Sequence, residues 1–115
     1  MSDKFFTDYF KYIQVGLESV DRADLIKASN MIKAISRAGN KLIIAGNGGS
    51  AAMASHVSVD FTKAAGIRAI NFNEADLLTC FANDYGYEHW VSKAIEFYSD
   101  EGDLVILISS SGSSK

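Results

Sequence analysis

Leu42-Ile43-Ile44-Ala45-Gly46-Asn47-Gly48-Gly49-Ser50 is the stretch that decides the fold. Four apolar residues in a row read as a short strand buried on both faces, the texture of a parallel sheet. A tight Gly/Asn/Ser loop follows, and residues 51–63 read as a helix that ends near Gly66. Strand, tight loop, helix is the first half of a crossover unit. Beyond it, Ile67-Arg68-Ala69-Ile70-Asn71 reads as a second strand and 75–82 as a short helix. Asn83-Asp84-Tyr85-Gly86 reads as a turn, and 88–98 as another helix. Glu101-Gly102-Asp103 turns the chain into Leu104-Val105-Ile106-Leu107-Ile108, the most strand-like run of the sequence, which opens into Ser109-Ser110-Ser111-Gly112-Ser113-Ser114. Strands alternating with helices predict an α/β domain with a parallel sheet and right-handed crossovers.

Upstream the periodicity changes. Phe5, Phe6, Tyr9, Phe10, Tyr12, Ile13 and Leu17 recur at helical spacing over 4–19. After a polar break, Asp21 is placed to cap a second helix over 22–38, with Leu25, Ile26, Ala28, Met31, Ile32 and Ile35 on one stripe and Gly39-Asn40 at its end. Two apolar helical faces exceed what a single chain of this length needs to cover its sheet. Residues 1–40 are therefore expected to be a helical pair used in oligomerisation, and 41–115 the N-terminal part of the α/β domain. The second Ser/Gly loop should open a further helix, so the C-terminal part of the domain is expected beyond residue 115.

Composition excludes several classes. The 115 residues are 48% hydrophobic and 22% charged, which is ordinary for a globular domain and rules out disorder. Eleven basic and 14 acidic residues give a net charge of −3, without a basic run, so no nucleic-acid partner is expected. No run nears 18 apolar residues and the N-terminus does not read as a signal peptide, so neither a membrane partner nor export is expected. The single cysteine, Cys80, reads as a small buried hydrophobe, and a cytoplasmic location fits it.

Ligands of open α/β sheets bind at the carboxyl ends of strands, near helix N-termini. Gly46-Asn47-Gly48-Gly49-Ser50 and Ser109-Ser110-Ser111-Gly112-Ser113-Ser114 both occupy that position. Glycine lets the backbone approach a ligand, and hydroxyl and N–H groups donate to an anion without any lysine. Gly46-x-Gly48-x-x-Ala51 also satisfies a loose dinucleotide pattern, but the second strand ends without a suitably placed acid, and no Walker lysine follows the glycines. His56 and Asp60 lie four apart on the helix behind the first loop. Such a pair could be a surface hydrogen bond, two ligands of a zinc ion, or a carboxylate base beside a substrate. His89 has no partner at ligand spacing.

Ala45-Gly46-Asn47-Gly48-Gly49-Ser50-Ala51-Ala52, His56 and the acid at 60 together resemble the sugar isomerase (SIS) domain of phosphoheptose isomerases. The paired N-terminal helices, Cys80-Phe81-Ala82-Asn83-Asp84-Tyr85-Gly86 and the Gly102-Asp103 turn leading to the second loop are similar to that family in the same order. The resemblance implies a three-layer, flavodoxin-like fold assembled as a homotetramer. It implies conversion of sedoheptulose 7-phosphate to D-glycero-D-manno-heptose 7-phosphate through an enediol, at the entry to lipopolysaccharide heptose. Carried over by position, Ser50, Ser109, Ser110, Ser111 and Ser114 would hold the phosphate, with Gly48 and Gly49 beside it. Asn47 and Asp84 would bind sugar hydroxyls, Asp60 would move the proton, and His56 with Asp60 would contribute to a zinc site. Two departures stand out. The family usually has Glu at the position of Asp60 and Asn at that of Ser113. The shorter Asp60 side chain withdraws its carboxylate by roughly 1.5 Å, a displacement that can cost about 10²-fold in rate. Some SIS proteins bind a sugar phosphate or a protein partner without catalysis, and this is the alternative reading.

Overall fold

The computed structural model describes residues 2–113. The chain divides into two compact units, residues 1–30 and 31–115. In the first, α1 (Asp3–Glu18) has no buried residue. Phe5 stacks on Tyr9 with ring centroids 6.1 Å apart, and Phe6 lies 6.4 Å from Phe10. All four rings remain exposed. Asp21 caps α2 (Arg22–Arg37) as its sequence predicts, its carboxylate accepting the N–H of Ala23 at 2.8 Å.

The second unit is built on a three-stranded parallel sheet in the order β2-β1-β3. Its strands are β1 (Leu42–Gly46), β2 (Ala69–Ile70) and β3 (Leu104–Ile108). Leu42 faces both Ala69 and Leu104, and Gly46 faces Ile108. As the central strand, β1 is buried on both faces, which is why its apolar residues run without a polar break. Its side chains alternate between two cores. Leu42 and Ile44 pack with Ala54 of α3 (Gly49–Lys63), joined by Ile35, Val57 and Phe61. Ile43 packs with Phe72, Trp90 and Ala94, joined by Leu77, Leu78 and Phe81. These come largely from α4 (Ala75–Tyr85) and α5 (Trp90–Tyr98), so helices cover both faces in three layers.

Besides shifts of two residues at the starts of α3 and α5, two elements differ from expectation. The second strand is shorter than 67–71. The Asn71 amide donates to Ser58 Oγ at 2.9 Å while its carbonyl oxygen accepts the N–H of Asn73 at 3.0 Å, and this side-chain turn takes the chain off the sheet. The expected turn at 83–86 is helical through Tyr85. The Phe81 and Tyr85 rings meet edge-on at 5.6 Å across the last turn of α4, and the helix stops only at Gly86, whose φ of +92° ends it.

The amino ends of the strands are joined by a polar clamp. Lys41 Nζ lies 2.6 Å from Asp100 and 2.5 Å from Asp103. The Asp103 carboxylate also accepts the N–H of Lys41 at 2.9 Å and that of Asp100 at 2.8 Å. Burial pushes the Asp103 pKa up, but these two N–H groups and the Lys41 ammonium outweigh it and hold it at about 2. The Lys41 pKa is raised by the same contacts, the hydrogen bond to Asp100 first.

Candidate functional site

The first loop ends β1 with Gly46. A Cβ built there would lie 2.7 Å from Ser50 Cβ and 2.8 Å from the Ser50 backbone carbon, so only glycine fits. Gly48, at φ +56°, makes the reversal into α3. The helix starts at Gly49, two residues earlier than expected, so Gly49 and Ser50 belong to its first turn. The N–H groups of Ser50 and Ala51 are taken by the carbonyls of Asn47 and Gly48. Of the residues in this turn, Asn47 and Ser50 line the cavity described next.

The second loop follows β3. Ser109 Oγ accepts the N–H of Gly112 at 3.0 Å, and Ser111 Oγ accepts that of Ser113 at 3.2 Å, so two of its hydroxyls brace the loop itself. Because β1 and β3 are paired neighbours, the two loops emerge side by side. Between them lies a cavity of about 400 Å³ whose wall includes Asn47 and Ser50 from one loop and Ser109 and Ser110 from the other. Its apolar floor includes Ala45, Trp90, Ile95 and Ile108.

Three further polar residues line this cavity that the sequence reading did not single out: Tyr87, Glu88 and Ser92. Tyr87 donates to Asn47 Oδ1 at 3.2 Å. Glu88 is the one charged side chain in the wall, among the described residues. The signal available in the sequence was Gly86, which ends α4 and sends Tyr87 and Glu88 across the strand ends before Trp90 anchors α5 in the core.

The remaining expected residues among those described do not line the cavity. Gly48, Gly49 and Ser111 lie on its loops, and Ser114 lies outside the described residues. Asp84 sits on α4, where Oδ1 accepts the Asn83 amide at 3.0 Å and Oδ2 accepts the Cys80 thiol at 3.6 Å. Cys80 is exposed rather than buried, since α4 turns Leu77, Leu78, Phe81 and Ala82 toward the core and leaves Cys80 with Asp84 outside. The hydrogen bond to the Asp84 carboxylate pushes the Cys80 thiol pKa up. His56 Nε2 and Asp60 Oδ2 lie 3.5 Å apart on an exposed face of α3.

A family model described as the SIS domain matches residues 6–115. The chain belongs to the SIS domain family. Among its SIS relatives, it is 38% identical over 102 residues to a phosphoheptose isomerase of Fusobacterium nucleatum, covering 84% of this chain and 53% of that one. It is 35% identical over 118 residues to a phosphoheptose isomerase of Helicobacter pylori, covering 97% of this chain and 61% of that one. The solved structure of phosphoheptose isomerase GmhA from Neisseria gonorrhoeae superposes with a TM-score of 0.85 at 27% identity, over 97% of this chain and 62% of that one. The resemblance drawn from the first loop and its neighbours thus holds. The chain spans about half the length of the curated relatives it matches.

Zinc takes three or four protein ligands. His56 and Asp60 supply two donors of suitable type, but no group of three or more His, Cys, Asp or Glu side chains gathers among the described residues. By themselves, then, these residues do not fit a zinc ion. No helix among the described residues is long and apolar enough to cross a membrane.

Proposed function

We propose that this SIS chain is the substrate-gripping part of an aldose–ketose isomerase that converts sedoheptulose 7-phosphate to D-glycero-D-manno-heptose 7-phosphate. One observation carries the reading: two Gly/Ser loops at the carboxyl ends of paired parallel strands share one cavity, whose lining among the described residues includes no lysine or arginine. A phosphate there is held by neutral donors, as helix and strand termini permit. The names and sequences of the SIS relatives support the same substrate class.

In this reading Ser50, Ser109, Ser110, Ser111 and Ser114 grip the phosphate, aided by the N–H groups of Gly48 and Gly49. Asn47 and Asp84 bind sugar hydroxyls. Asp60 is the base that removes the C1 proton. The C2 carbonyl oxygen gains a proton as the enediol forms. Return of a proton to C2 and loss of one from O1 then give the aldose. His56 and Asp60 contribute to zinc only with donors from outside the described residues, so no step is assigned to a metal. The exposed aromatic face of α1 supports assembly into a homotetramer. A cytoplasmic enzyme at the entry to lipopolysaccharide heptose is the matching cellular role.

The test is incubation of the full-length protein with sedoheptulose 7-phosphate in D₂O, with and without zinc. Aldose product carrying deuterium at C2, lost in Asp60→Asn, is the expected result. Binding of the sugar phosphate without turnover would replace the isomerase with the regulatory SIS reading.

A further inference from the structure

We infer that Tyr87 is a positioning residue that fixes which way the Asn47 carboxamide faces the ligand. Asn47 sits at the mouth of the first loop and Tyr87 lies 40 residues away in sequence, yet both line the same cavity. The Tyr87 hydroxyl donates to Asn47 Oδ1 at 3.2 Å. A carboxamide has an accepting end and a donating end. With Oδ1 engaged by Tyr87, the Nδ2 hydrogens are the part of Asn47 left to meet a ligand oxygen. Unpinned, the group can rotate and offer its carbonyl instead, which exchanges the donor that meets a sugar oxygen for an acceptor and loses a fixed preference.

Tyr87 is itself held. Gly86, at φ +92°, reverses the chain at the end of α4, and the N–H of His89 closes the turn on the Gly86 carbonyl at 3.0 Å. Trp90, 2% exposed, anchors the next residues in the core. The phenol therefore reaches the first loop from a braced turn, so that little ordering remains to be done when a ligand arrives. The role assigned to Tyr87 is exerted through Asn47. The inference rests on the sugar-phosphate reading for its ligand, but not for the contact itself.

Two measurements on the full-length protein separate the inference from that reading. In steady-state kinetics with sedoheptulose 7-phosphate, Tyr87→Phe should raise KM by about three- to tenfold, the range of one net hydrogen bond, with kcat within about twofold. Asn47→Ala should raise KM as well, and the double variant should be no worse than Asn47→Ala alone. Additive effects of the two variants, or a loss of kcat accompanied by a lower Tm in Tyr87→Phe, would overturn the positioning role. In the unliganded protein, the side-chain amide resonances of Asn47 should shift and broaden in Tyr87→Phe. Unchanged resonances would overturn the inference even if the enzyme is active. A wild-type protein that turns over no sugar phosphate would remove the substrate reading, while the resonance comparison would still decide the contact.

Discussion

Gly46 and Ser50 meet so closely across the β1–α3 turn that a methyl group on Gly46 would overlap both the side chain and the backbone of Ser50. Neither neighbour can yield, because Ser50 is already in the first turn of α3 and its N–H is bound to the Asn47 carbonyl at 2.9 Å. Gly46→Ala should cost about 1–3 kcal/mol, as overpacking of a rigid contact does. The same change at Gly49, which has open space around its Cβ position, should cost far less. Urea denaturation of the two variants checks the difference, and equal stabilities would refute the close approach.

Stability should depend on acid through Asp103. Its folded pKa of about 2 lies below its ordinary 3.8, so the carboxylate favours the native state when ionised. That contribution is complete above about pH 4 and is lost as pH falls through the folded value. A shift of this size corresponds to about 2 kcal/mol. Asp103→Asn should therefore be less stable than wild type at pH 7, with the gap narrowing toward pH 2. A pH series of thermal or urea unfolding measures it, and a constant gap would exclude the clamp as its source.

The thiol of Cys80 should be a sluggish nucleophile although it is exposed. Asp84 accepts its hydrogen bond and opposes a second negative charge beside it. Removing that charge in Asp84→Asn should lower the thiol pKa and speed alkylation by iodoacetamide at pH 7.5. Following the reaction by mass spectrometry gives the two rates, and a slower variant would show that Asp84 does not restrain the thiol.

The proposed assembly through α1 predicts a further outcome. Phe10 is 64% exposed within an aromatic stripe. Phe10→Glu should reduce the assembled mass of the full-length protein, read by size-exclusion chromatography with light scattering, with its circular dichroism unchanged. Retention of the wild-type mass would take α1 out of the interface.

The central strand was legible because burial on two faces leaves no choice of residue: Leu42 through Ala45 contain no polar side chain and are all buried. Leu104 through Ile108 has the same apolar run and is also a strand, although as the neighbour at the edge it leaves Leu107 exposed. Where several forces compete, local pattern misleads. Asn71 looks like the end of a strand, but its carboxamide bonds to α3 and its own downstream N–H instead of continuing the ladder. Asn83 and Asp84 have turn chemistry, yet aromatic packing of Phe81 on Tyr85 carries the helix past them to the first glycine. Cys80 lies among apolar neighbours in sequence, but helical phase directs those neighbours inward and the thiol outward.

The candidate site divides in the same way. Asn47, Ser50, Ser109 and Ser110 were readable because loops after buried strands have a known place in an α/β sheet. Tyr87, Glu88 and Ser92 were not, since they belong to no motif and reach the cavity only through the bend at Gly86. His56 and Asp60 share a helix face as their spacing dictates, but spacing does not say what that face looks onto.

The ion cluster of Lys41, Asp100 and Asp103 grips the strands at the end remote from the cavity. Anchorage and the cavity are thereby kept at separate poles of one sheet. Side chains around the loops can be exchanged, and the shape they enclose altered, while the far pole goes on fastening the frame.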